Sequence, residues 1–178
     1  FEAAARGQIK ALWIACTNPA QSLPEQQLVR EALARCEIVV VQEAFATTAT
    51  CGFADLLLPA TTWGEKEGTV TNSERRISRV QAAIPPLGEA RHDWAILAAF
   101  GRELEARLPA HTARYLPGTV TLFPYETAES VWLEHRATTA GRDLDITGLS
   151  YQILEEVGPQ QWPMRAHATH GQDRLYTD

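Results

Sequence analysis

The sequence is short of several things, and each shortage closes off a class of function. Only three cysteines occur among 178 residues, at positions 16, 36 and 51, with no C-x-x-C pair among them. The five histidines, His92, His111, His135, His167 and His170, stand at no metal-ligand spacing to those cysteines. An odd, scattered set of thiols argues against both a disulfide framework and a zinc site. It reads as buried or incidental thiols in a reducing compartment, the cytoplasm. Basic residues are the next deficit. Lys and Arg number 16 against 22 Asp and Glu, a formal net charge of −6, and no basic run occurs. That balance argues against nucleic acid and anionic membrane surfaces as partners. The longest apolar stretches, Ala11–Cys16, Ile38–Val41 and Leu56–Leu58, are far too short to span a bilayer. No G-x-G-x-x-G follows a strand, and there is no P-loop, G-x-S-x-G or H-E-x-x-H, so a self-contained enzyme of the common kinds is poorly supported. The opening Phe1-Glu2-Ala3-Ala4-Ala5-Arg6 has neither an initiator Met nor a basic stretch of signal-peptide type, and reads as a piece of a larger chain.

What remains is an ordinary soluble composition, 45% apolar and 21% charged with mean hydropathy −0.21, enough chain to bury a core of its own. The first 60 residues alternate in type. Ala11–Cys16 is a continuous apolar run of strand length ending in Thr17-Asn18-Pro19, where the proline pushes Asn18 into an extended or turn conformation. Ser22-Leu-Pro-Glu25 has the spacing of a capping box and is expected to open a helix with Leu28, Val29, Ala32 and Leu33 on one face. Ile38–Val41 gives a second strand ending at Gln42-Glu43, and Asp55–Pro59 a third. Uniformly apolar strands separated by helix-length segments predict a half-Rossmann parallel sheet, β-α-β-α-β, with helices on both faces. Residues 61–93 form an extended or hairpin segment with a glycine-bounded charged loop, and residues 94–178 a mostly helical part. In that last part Trp94, Leu97, Ala98, Gly101, Leu104 and Leu108 fall at helical spacing. Two further helices are expected over 126–136 and 147–157, and 158–178 reads as irregular.

In open α/β sheets ligands sit beyond the carboxyl ends of the strands. Those ends hold Asn18 and the Gln42–Glu43 pair, side chains able to hydrogen-bond a nucleotide, or simply to terminate apolar strands. Lys66, between Glu65 and Glu67, could anchor a phosphate or sit in a salt-bridged surface turn. Asp93 could bind a ligand or cap the helix that follows it. Arg75, Arg76 and Arg79 form a positive cluster that meets either an anion or solvent.

Five blocks then occur in order: Ile9–Pro19, Val39–Glu43, Ala54–Pro59, Trp63–Arg76 and Gly88–Trp94. Together they resemble the molybdopterin oxidoreductases of the dimethyl sulfoxide reductase superfamily, most densely over residues 8–100. Asp143–Tyr151 and Gly158–Pro163 narrow the resemblance toward the bacterial assimilatory nitrate reductases. The resemblance implies a bis-molybdopterin guanine dinucleotide cofactor with molybdenum, touched at Asn18, Gln42, Glu43, Lys66 and Asp93. Asn18 and Gln42–Glu43 would hold the guanosine end, with Glu43 standing where such proteins carry aspartate. It also implies a 4Fe–4S cluster, the molybdenum ligand and a further dinucleotide-gripping domain elsewhere in the parent subunit, so the chain alone should be inactive. Nitrate would be the substrate and a donor protein the source of electrons. Formate dehydrogenases share most of these blocks, and a non-catalytic nucleotide-binding domain on the same sheet stays open.

Overall fold

A computed structural model describes residues 1–110, Arg114, Gly118 and 121–176. The chain divides into two compact units. Residues 1–65 and 84–97 make the first, and residues 66–83 and 98–178 the second.

The first unit is built on β1 (Ala11–Ala15), β2 (Ile38–Glu43) and β3 (Leu56–Pro59), all parallel with β2 in the middle. Alternate residues of β1 and β2 turn Ile14, Val39 and Val41 toward Val29 and Leu33 of α3 (Gln26–Arg35), the face the apolar spacing had marked. α1 (Glu2–Ala5) and α2 (Pro19–Ser22) flank the same layer. The opposite face meets the first turn of α4 (Asp93–Arg107) through Gln42 and Asp93.

Two local expectations are corrected. Ser22 is no capping residue: it closes α2, its hydroxyl donating to the Asn18 carbonyl at 3.0 Å. α3 starts instead from Glu25 in the left-handed region, φ +53°, with no side-chain cap. The second crossover is a single 3₁₀ turn, Ala49–Phe53, because the Ala/Thr/Gly stretch before Asp55 lacks an apolar helical face to bury.

In the second unit, β4 (Gly68–Thr71) and β5 (Arg76–Val80) form the expected antiparallel hairpin. β6 (Gln160–Gln161) pairs with β5, a short strand inside the stretch read as irregular. The strand is only two residues long, too short to show an alternating pattern in sequence. α5 (Ala128–Thr138) begins at a capping box in which Thr127 and Ser130 exchange backbone N–H bonds. α6 (Tyr151–Glu156) is capped by Ser150. Their apolar faces join Ile77, Ile146, Leu149 and Met164 in one core around Trp132 and Tyr151.

Among the described residues no helix is long and apolar enough to cross a membrane, and no group of three His, Cys, Asp or Glu could hold a metal ion. His111 lies outside the described residues.

Candidate functional site

The strand register sets the site. Gln42 pairs with Ala15 on one side and Leu58 on the other, and Glu43 with Pro59, so the carboxyl ends of all three strands come level. The chain returns to this edge at Arg91. There a parallel bridge between Ala60 and Arg91, with the Arg91 N–H on the Pro59 carbonyl at 3.1 Å and the Thr61 N–H on the Arg91 carbonyl at 3.0 Å, sets His92 against Thr61 and brings Asp93 to Gln42 of β2. The His92 carbonyl takes the first helical bonds, from Ala95 and Ile96. Asp93 therefore lies inside the first turn of α4 rather than at its cap, where its negative charge still suits the helix dipole.

Gln42 is 1% exposed, a rare state for an amide side chain. Its Nε2 donates to Asp93 Oδ1 at 2.8 Å, and the Cys16 thiol donates to the same carboxylate oxygen at 3.6 Å. Cys16, the residue after β1, has φ +59°. Gln42 Oε1 has no hydrogen-bond partner among the described residues, nor does the buried indole nitrogen of Trp94, next along α4. A buried acceptor without a donor costs about 1–3 kcal/mol, so each such atom in a native fold requires a reason.

Asn18 is engaged differently. Its Oδ1 accepts from the Thr50 N–H at 3.1 Å and the Thr50 hydroxyl at 2.6 Å, and its Nδ2 donates to Gln21 at 2.9 Å. The Ala20 N–H closes the ring onto Thr50 Oγ1. Asn18 thus ties the loop after β1 to the 3₁₀ turn before β3. Glu43 Oε1 accepts from the Ala44 and Phe45 N–H groups at 2.8 and 3.4 Å, holding the loop after β2. Gln42 and Asp93 are brought into contact, Asn18 and Glu43 shape the adjoining strand-end loops, and Lys66 belongs to the second unit at the start of its hairpin segment.

The arginine cluster is not an anion site. Arg75 donates to the carbonyls of Trp162, Gln172 and Asp173 and lies over the Trp162 ring. Arg76 bonds Glu74 and the Pro159 carbonyl. Arg79 bonds Glu155 at 3.1 Å, Glu67 at 3.5 Å and the Gly68 carbonyl, and covers the Tyr151 ring at 4.0 Å. Carbonyls and carboxylates of the second unit occupy all three guanidinium groups.

One residue escaped the sequence reading. Glu65, beside Lys66, is 4% exposed and accepts from the Thr62 N–H at 2.6 Å, the Thr62 hydroxyl at 2.8 Å and the Leu87 N–H at 2.9 Å. The bonds from Thr62, backbone first, hold its carboxyl below the usual carboxylate range. The signal was present: Thr62-x-x-Glu65 has capping-box spacing.

Among solved structures the fold resembles acetylene hydratase from Pelobacter acetylenicus, with TM-score 0.60 at 22% identity over 88% of this chain and 19% of that one. At that identity the likeness shows the fold, which matches about a fifth of that chain. The family model for molybdopterin oxidoreductases matches residues 1–103. The chain is 42% identical over 172 residues to a nitrate reductase of Klebsiella oxytoca, covering 92% of this chain and 18% of that protein. It is 36% identical over 172 residues to the assimilatory nitrate reductase catalytic subunit of Bacillus subtilis, covering 97% and 22%. To formate dehydrogenase H of Escherichia coli it is 31% identical over 175 residues, covering 97% and 21%. The chain belongs to the molybdopterin oxidoreductase family. It spans about a fifth of the length of the curated relatives it matches.

The family implies a molybdenum–pterin cofactor, and the donor set fits part of one. A buried amide oxygen without a partner, on a side chain held by a carboxylate at a sheet's carboxyl edge, suits a nucleotide's hydrogen-bond donor.

Proposed function

We propose that this chain forms part of the binding site for one molybdopterin guanine dinucleotide, and that the full-length protein reduces nitrate to nitrite in the cytoplasm. The observation that carries the reading is the Gln42 side chain, buried and held by Asp93 with its oxygen unmatched. The names of the nitrate reductase relatives described above favour nitrate. In this reading residues 1–60 take the guanosine end, residues 61–93 carry a cofactor-contacting loop and residues 94–178 are a helical and irregular part. Gln42 accepts a hydrogen bond from the nucleotide, while Asn18 and Glu43 fix the strand-end loops around it and reach its polar groups. Lys66 neutralises a phosphate as a point charge. When bound, the cofactor supplies two-electron oxygen-atom transfer at molybdenum. The residues here hold and orient it; a 4Fe–4S cluster, the metal ligand and the contact with an electron-donor protein lie in the rest of the parent subunit. The isolated chain is accordingly inactive.

The test is nitrate-dependent oxidation of reduced viologen by the full-length parent, with formate oxidation assayed on the same preparation. Nitrate turnover with molybdenum present is the expected result. Formate turnover alone would keep the cofactor site and overturn the substrate, the second reading that the formate dehydrogenase relative favours. Neither activity, in a preparation without molybdenum, would leave a nucleotide-binding module.

A further inference from the structure

We propose that Trp63, Ile84 and Leu87 form a contact surface that another stretch of the same polypeptide covers in the full-length protein. The inference does not depend on the cofactor reading above.

Large apolar side chains scattered singly over a surface need no explanation, but a cluster of them does. Trp63 is 68% exposed, Leu87 67% and Ile84 47%, and the backbone draws their segments together. The Ile84 N–H donates at 3.1 Å to the carbonyl of Gly64, the residue after Trp63. Glu65 makes the second tie. One of its oxygens takes the N–H and hydroxyl of Thr62 and the other takes the Leu87 N–H, so a single buried carboxylate staples the two segments. Pro85 and Pro86, between Ile84 and Leu87, hold φ fixed. Residues 84–89 are all exposed, and Glu89 is the one charged side chain among them. A patch that is aromatic, aliphatic and poor in charge has the composition of an interface core. Because these segments are ordered beforehand, whatever covers them loses little further entropy.

The area decides what that occupant is. At their exposures the three side chains offer about 400 Å², as much as the largest apolar patch on an ordinary monomer. A stable complex between separate chains needs about 800 Å² from each partner. The patch is therefore too small to hold a second copy or an independent protein by itself. A stretch of the same chain arrives at high effective concentration, and for it a small contact is sufficient. Chain of that kind is abundant in a subunit as long as the relatives, since this chain covers only 18% and 22% of the two nitrate reductases described above. The scarcity of charge agrees, because transient partners are steered by complementary charge.

The experiment is hydroxyl-radical footprinting of the full-length protein, with oxidation of each side chain read by peptide mass spectrometry. Trp132, 6% exposed, is the internal standard for a buried indole. Trp63 is expected to oxidise as slowly as Trp132, and about tenfold more slowly than in the same protein unfolded in urea. That protection should persist on dilution to concentrations at which light scattering reports a monomer. Trp63 oxidising near its unfolded rate would overturn the inference and leave the patch open to a separate partner. Protection that disappears as an oligomer dissociates would overturn it too, in favour of a second copy. In a protein that stays oligomeric on dilution, Leu87→Asp decides. A lowered unfolding midpoint with the oligomer intact supports the inference, whereas folded monomers or an unchanged midpoint overturn it.

Discussion

Asn18 and Thr50 are bound to each other twice across 32 residues, with Asn18 Oδ1 accepting both the backbone N–H and the hydroxyl of Thr50. Thr50 is fully buried, so its donors have no water to turn to. Asn18→Ala is expected to destabilise the first unit by about 2–3 kcal/mol, read from the urea midpoint of this chain. Asn18→Asp, which keeps the accepting oxygen, should recover most of the loss. An alanine variant as stable as wild type would show that Asn18 does not tie these loops.

Glu65 makes the fold sensitive to acid. Its carboxyl titrates below the ordinary value of 4.5, chiefly because the Thr62 N–H and then the Thr62 hydroxyl favour the charged form, joined by the Leu87 N–H. The unfolded chain therefore binds the proton more readily than the folded one. The contribution is complete above the ordinary carboxylate range and is lost as pH falls through the depressed folded value. Glu65→Gln should lower stability at neutral pH and flatten the acid limb of the stability curve. Denaturant unfolding from pH 7 downward measures both, and a variant whose acid limb parallels the wild type would refute the assignment.

The three strands and the hairpin were legible because their signal is local. Ile38–Val41 is apolar at every position, and in Trp63–Arg79 a glycine-bounded charged turn is followed by a β-branched alternation. The strand-end rule also marked Gln42 and Asn18 as polar groups at the carboxyl edge. What each does there was not legible, since the partners Asp93 and Thr50 are 51 and 32 residues away. Two segments with one spacing make the point. Ser22-x-x-Glu25 matched the capping pattern and leaves a helix uncapped by side chains. Thr62-x-x-Glu65 went unread, yet its Glu65 carboxylate accepts from both the N–H and hydroxyl of Thr62. Pattern gives the possibility, and the backbone conformation at its ends, left-handed at Glu25, decides.

Arg79 and Tyr151 should respond in opposite senses. The Arg79 side chain is 12% exposed and joined to Glu67 and Glu155, with its cation over the Tyr151 ring. Arg79→Ala leaves two carboxylates and the Gly68 carbonyl without it, at an expected cost of about 2–4 kcal/mol, softened because both carboxylates are partly exposed. The Tyr151 hydroxyl is buried with no partner among the described residues. Desolvation pushes its pKa up. Tyr151→Phe removes an unmatched polar atom and keeps the ring, so it should be neutral or stabilising by up to about 1 kcal/mol. Thermal unfolding of the two variants side by side checks both signs, and a destabilised phenylalanine variant would reveal a partner for the hydroxyl.

Gly148 is where the second unit leaves no room. Its N–H donates to the Met164 carbonyl at 2.9 Å, which draws two backbone segments together. A Cβ built there would lie 2.3 Å from the Arg165 carbonyl oxygen and 2.9 Å from that of Met164. Both obstacles are main chain, so no rotamer change relieves them, and the segments must part. The bond to Met164 is stretched when they do. Beside it, the Asp145 carbonyl accepts the Met164 N–H at 2.8 Å, and the Asp145 carboxyl is held low by the Thr147 hydroxyl and then the Thr147 N–H. Strain at Gly148 therefore passes into that network. Gly148→Ala is expected to cost about 2–3 kcal/mol. Gly52→Ala, whose Cβ would meet nothing within 4 Å, should fall within about 0.5 kcal/mol of wild type. Equal midpoints for the two variants in urea would mean that the 147–165 segments are not packed as described.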